Sequence, residues 1–89
     1  MPTVWIPPLL RSLAGGLETV NVAGATIGQI IDGLDQQFPG IKGKLVESGQ
    51  LKPGIAMAID ATAGRFPLSQ PIPPDSEVHF LPSLSGGAR

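Results

Sequence analysis

The chain has 89 residues, no cysteine, a single histidine and a formal charge of -1. The missing cysteines exclude disulfides, iron–sulfur clusters and thiolate zinc sites, and one histidine excludes a histidine metal cluster. Six Lys/Arg set against seven Asp/Glu leave no basic footprint for nucleic acid. The 12 glycines and 10 prolines stand near the level at which composition suggests disorder. Against that, 26 of the 89 residues are Leu, Ile, Val or Phe, enough to offset the entropy of folding. One small domain with a single modest core and many turns is therefore expected. The start, Met1–Pro8, has neither a basic region nor a long apolar stretch, and no apolar run reaches membrane-spanning length. These features lead us to expect a cytoplasmic protein with no membrane partner.

In chain order, Thr3–Ile6 is β-branched and aromatic and predicts a first strand that Pro7-Pro8 stops. Pro7–Gly16 is expected to be a loop, with Leu9, Leu10 and Leu13 either covering an open end of the core or forming an exposed apolar patch. Gly15-Gly16 turns the chain into a second strand over Leu17–Val22, predicting a hairpin with the first. The period then changes. Ile27, Ile30, Ile31, Leu34 and Phe38 share one helical face, Thr26 with Gln29 forms a capping-box pattern, and Pro39-Gly40 ends the helix. A second short helical stretch is expected over Ile41–Glu47, stopped by Ser48-Gly49. Ile55–Asp60 predicts a central strand, Asp60–Gly64 a turn and Arg65–Leu68 a short edge strand. Gln70–Asp75 predicts a rigid turn, and Glu77–Leu81 a last strand ending at Pro82.

A hairpin, one crossing helix and further strands make an α+β arrangement, with the helix on one face of a mixed sheet of four to five strands. A helix between the second and third strands lets the first and last lie parallel and adjacent, which is the ubiquitin-like β-grasp. Residues 1–82 are read as the folded body and 83–89 as a C-terminal tail.

Enzymatic apparatus is scarce. No phosphate-binding glycine loop is present, and the serines have only His79 as a possible base. His79 alternates outward from Val78 and Phe80, which predicts a surface strand residue. Trp5 is expected as a core or half-buried strand residue rather than a partner-binding hot spot. Lys42, Lys44 and Lys52 predict a solvated face. The tail stands apart. Leu84 and Ser85 lead to Gly86 and Gly87, which have no Cβ and suit passage through a narrow channel.

The chain resembles the ubiquitin-like sulfur-carrier family, which includes the small subunit of molybdopterin synthase, the thiamine sulfur carrier and the cysteine-biosynthesis carrier. The resemblance rests on Ile6-Pro7-Pro8-Leu9-Leu10-Arg11 with Gly15-Gly16, and on Gly24-Ala25-Thr26-Ile27-Gly28 opening the helix. It continues through Phe38-Pro39-Gly40, Arg65-Phe66 and Val78-His79-Phe80-Leu81-Pro82, and ends at Gly86-Gly87. The front loop and the length look most like the cysteine-biosynthesis type. The resemblance implies a carrier without a catalytic site or bound cofactor of its own. A partner enzyme would adenylate the Gly87 carboxylate with ATP, and a sulfur donor would convert it to a thiocarboxylate for a sulfur-accepting biosynthetic enzyme. Leu9, Leu10 and Arg65 are the candidate partner surface. The family's active form ends at the second glycine, whereas Ala88-Arg89 follow Gly87 here. Trimming between Gly87 and Ala88 by a processing metalloprotease is the favoured expectation, with residues foreign to the natural chain, or a chain that has lost carrier function, as the other accounts. A protein modifier joined through Gly87, or a β-grasp binding module with an inert tail, are the alternatives.

Overall fold

The computed structural model describes residues 1–82, and the proposed tail lies outside them. Strand β1 (Thr3–Trp5) is followed by a 3₁₀ segment (Pro8–Ala14), β2 (Thr19–Asn21), helix α1 (Ile27–Gln37) and helix α2 (Ile41–Leu45). Then come β3 (Val46–Glu47), β4 (Gln50–Leu51), β5 (Ile55–Ile59), β6 (Thr62–Gly64) and β7 (Glu77–Pro82). Five strands form one mixed sheet in the order β2-β1-β7-β5-β6, while β3 and β4 make a separate hairpin. Strand β1 pairs antiparallel with β2 and parallel with β7, Val4 standing opposite Val20 on one side and Val78 on the other. The architecture is the expected β-grasp.

Each central strand divides its side chains by alternation. Val4, Val78, Phe80 and Met57 point into the core, and Trp5, His79 and Ala58 share the opposite face through the registers Trp5↔His79 and Ala58↔His79. Helix α1 closes the core from the other side, burying Ile27, Ile30, Ile31 and Leu34 as the 3.6-residue period requires. Its start is doubly capped: the Thr26 hydroxyl accepts from the Gln29 N–H at 3.2 Å, and the Gln29 side chain accepts from the Ala25 N–H at 2.8 Å. Its end runs straight into α2, whose first amides are held by Asp35, which accepts from the N–H groups of Gly40 and Lys42. Gly33 is a packing requirement, because a Cβ there would stand 2.6 Å from the Val22 Cγ1.

Three local expectations are corrected. Pro8–Ala14 is 3₁₀-helical rather than a loop: Pro8 sits in its first turn, where the missing N–H is no loss, and fully buried Ala14 anchors its end. Helix α2 stops at Leu45, and the Val46–Leu51 stretch turns back on itself instead. Ser48 (φ 55°) and Gly49 (φ 77°) form the two-residue turn of the β3–β4 hairpin. The edge strand is Thr62–Gly64, not Arg65–Leu68, because Asp60 (φ 54°) closes a tight turn directly after β5. That turn is stitched to β7: Asp60 accepts from the Ser76 hydroxyl at 2.9 Å and the Glu77 N–H at 3.0 Å, which holds its carboxyl below the ordinary carboxylate range.

Candidate functional site

The expected tail residues Leu84, Ser85, Gly86, Gly87 and Ala88 lie outside the described residues, so the site is built from the pole where β7 ends. Strand β7 runs antiparallel to β5, Phe80 opposite Met57 and Pro82 opposite Ile55. Its last described residues thus arrive beside the first residue of β5.

An open groove of about 480 Å³ occupies this pole, and its walls are almost wholly apolar. One wall is the start of the 3₁₀ segment, with Leu9 and Leu10. The other comprises Ile55, Phe80 and Leu81, and α2 contributes Lys44 and Leu45. The two candidate leucines do different things. Leu10 is half-buried and packs against the core, whereas Leu9 is 93% exposed. Among the described residues Leu9 is the most exposed of the large apolar side chains, on the lip of the groove. The 3₁₀ geometry produces this difference, since it anchors the segment through Leu10 and Ala14 and turns Leu9 outward. Arg11 fastens the segment to β1 by donating from Nε to the Ile6 carbonyl at 3.2 Å.

Arg65, the third candidate, is engaged with the body. Its Nη1 donates to the carbonyls of Ile55 (2.7 Å) and Lys52 (3.1 Å), and Nη2 donates to that of Leu51 (3.1 Å). The planar, forked guanidinium gathers three carbonyls of the β4–β5 connection that a single ammonium would not span. Arg65 therefore shapes the loop that carries Gly54 and Ile55 into the groove wall, and it keeps its charge at the surface. The structure brings Leu9, Leu10 and, through Ile55, Arg65 to one pole. Lys44, Ile55, Phe80 and Leu81 had no sequence signal as site residues, because the groove is made by chain segments far apart in sequence.

On the outer sheet face, Trp5 and His79 stack with ring centroids 5.0 Å apart and planes 11° apart. Trp5 Nε1 donates to Glu77 Oε1 at 3.1 Å, and His79 Nε2 lies 3.7 Å from the same oxygen. Trp5 is a half-buried strand residue, one of its two expected places, on the outer face rather than in the core. His79 is an outward strand residue whose nearest carboxylate is already engaged by Trp5. The Ser76 hydroxyl donates to Asp60, so it forms no nucleophile–base pair with His79. Among the described residues no group of three or more His, Asp or Glu side chains is placed to hold a metal. No helix among them is long and apolar enough to cross a membrane. What the pole offers is an open apolar groove beside the last described residues of β7.

No protein-family model matches the chain. The sulfur carrier protein CysO of Mycobacterium tuberculosis is 31% identical over 90 residues, spanning 96% of this chain and 97% of the relative. The crystal structure of M. tuberculosis CysO superposes with a TM-score of 0.87 at 30% identity, covering 93% of this chain and 99% of the other. A chain of the Amycolatopsis orientalis BexX/CysO complex gives a TM-score of 0.85 at 30% identity, covering 98% of this chain and all of the other. SAMP1 from Haloferax volcanii is similar with a TM-score of 0.71 at 26% identity, covering 97% and 98% of the two chains.

Proposed function

Because the chain belongs to the CysO family of sulfur carrier proteins, we propose that it carries sulfur on Gly87 as a C-terminal thiocarboxylate. The observation that supports this most directly is the register Ile55↔Pro82. It brings the last described residues to the margin of a folded body that has its own apolar groove, and the sequence beyond reads Ser-Leu-Ser-Gly-Gly. The body serves as a handle and binds no cofactor. ATP is consumed by a partner adenylating enzyme. The Gly87 carboxylate attacks the α-phosphorus of ATP and pyrophosphate leaves. A sulfide-level donor then attacks the acyl carbon, the bond to AMP breaks, and a C–S bond remains. The thiocarboxylate sulfur is the nucleophile offered to a sulfur-accepting biosynthetic enzyme, by analogy with the complex in which a CysO relative is found. Specificity for the product resides in that enzyme.

Gly87 gains a free carboxylate only when Ala88-Arg89 are removed, so the chain as it stands is a precursor for a processing metalloprotease. The protein-modifier alternative uses the same glycine, but the likeness to SAMP1 is weaker than that to CysO and the carrier reading takes precedence. Intact mass spectrometry tests it: incubation with the protease, the adenylating enzyme, ATP and sulfide should remove Ala88-Arg89 and then replace one oxygen by sulfur, a gain of about 16 Da. Retention of both residues with no sulfur gained would overturn the reading. Higher-mass adducts on other proteins that vanish with Gly87 would favour the modifier.

A further inference from the structure

Among the described residues the exposed large apolar side chains are Met1, Leu9, Leu13 and Leu17. The three leucines fall in one stretch of chain, running from the 3₁₀ segment to the foot of β2. Exposed apolar residues scattered singly are ordinary, but a concentration of them beside an apolar recess marks a surface that another molecule covers. Here the recess adjoins the protrusion. Leu9 stands 93% exposed on the lip of the groove, whose far wall holds Ile55 and Phe80. The anchoring of Leu10 and Ala14 that turns Leu9 outward keeps it from filling the groove of its own chain.

The charged groups at this pole carry both signs. Lys44 lines the groove, and the exposed Glu47 follows it on β3. Glu18 reaches the same end, since its carbonyl accepts at 2.8 Å from the N–H of Ile6, the residue before the groove's Pro7. The neighbouring cations are committed elsewhere, Lys42 to Asp32 at 2.6 Å and Arg65 to three backbone carbonyls. Among the described residues neither Lys44 nor Glu47 forms an ion pair within the chain. A knob, an adjoining hole, a cation and a carboxylate on one patch make that patch complementary to itself. A two-fold interface between identical chains demands this, because residue i meets j and j meets i. A patch shaped for a partner of opposite charge would carry one sign. The formal charge of -1 adds little repulsion between two copies.

We propose that the groove docks a second copy of this chain. About a two-fold axis, Leu9 of each copy enters the other's groove against Ile55 and Phe80, and Lys44 of each faces Glu47 of the other. The contact is one lip and one groove per chain, so the pairing belongs to the weak, transient class. It stands apart from the carrier reading, and neither depends on the other.

Sedimentation equilibrium on the full chain tests it, from about 10 µM to about 1 mM. The weight-average mass should rise from that of one chain toward that of two. Leu9→Asp should weaken pairing by about tenfold or more and melt as wild type does, since so exposed a side chain leaves the core untouched. Leu9→Ser gives the same reading should Leu9→Asp melt early. Lys44→Glu and Glu47→Lys should each pair about threefold or more weakly than wild type, because each sets like charges across the axis. An equimolar mixture of these two should pair more tightly than either alone, since opposite charges then face each other at both contacts. A wild type that stays monomeric throughout overturns the proposal and leaves the groove to a different protein. A mixture no stronger than its separate components, or a Leu9→Asp chain that pairs as wild type does, overturns it as well. None of these results bears on whether Gly87 gains sulfur.

Discussion

At the scale of single residues, Asp60 shows how one carboxylate joins two strands. It adopts a left-handed backbone at the end of β5 and accepts from Ser76 and from the Glu77 amide at the start of β7. Both hydrogen bonds favour the charged form, so its folded pKa is below the ordinary 3.8. A depressed folded pKa contributes stability that is complete above the unfolded value and fades as pH falls through the folded one. Asp60→Asn keeps the backbone conformation, since Asn also tolerates it, and removes the titrating group. Wild type should therefore lose stability more steeply than Asp60→Asn as pH falls below about 4, with matching slopes above about pH 5. Urea midpoints across that range decide it, and identical slopes below pH 4 would refute the coupling. None of this was visible in the sequence, where Asp60 reads as one more turn residue.

At the scale of elements, Arg65 does the same for the β4–β5 connection. Its three carbonyl acceptors would otherwise face water, so its removal costs less than burying them unpaired would. Arg65→Ala should lower stability by about 1–2 kcal/mol, the value of one or two charge-assisted hydrogen bonds net of water. Arg65→Lys should recover only part of it, because one ammonium cannot hold three carbonyls in a plane. Chemical denaturation gives the first number. Faster hydrogen exchange at the Ile55 amide, which bonds to Lys52, locates it. A variant as stable as wild type would show that Arg65 is free to serve a partner. The elements themselves were legible where period and caps agreed. Ile27, Ile30, Ile31 and Leu34 with the Thr26–Gln29 cap gave helix α1, and Val78 and Phe80 gave β7. Two turn positions defeated the local pattern. Ser48-Gly49 is equally a helix stop and a hairpin turn until Val46 and Leu51 are seen to pair. Asp60 reverses the chain early, so the edge strand starts at Thr62, three residues before the expected Arg65. In the 3₁₀ segment, Pro7-Pro8 masked a helical start because prolines mark loops and first turns alike.

At the scale of the whole molecule, the described body carries its own core. The sixteen buried apolar residues found among the described ones run from Val4 to Phe80, and the sheet closes with Pro82 opposite Ile55. The handle and the chemistry on Gly87 are thus expected to be independent. The proposed tail rests on the sequence alone, where Gly86-Gly87 ends no predicted element. The groove was not, since Leu9, Lys44, Ile55 and Phe80 meet only after folding. A chain ending at Pro82 joins these points in one prediction. It should melt within about 2 °C of the full protein, a small fraction of the shift that 1 kcal/mol produces in a domain this size. It should gain no sulfur, lacking the acceptor carboxylate. With the groove intact, it should still pair with a second copy, its dissociation constant within about twofold of the full chain's. Introducing Leu9→Asp into this truncated body should abolish the pairing. If the truncated body folds but stays monomeric where the full chain pairs, residues beyond Pro82 hold the two copies together and the groove contributes only a scaffold.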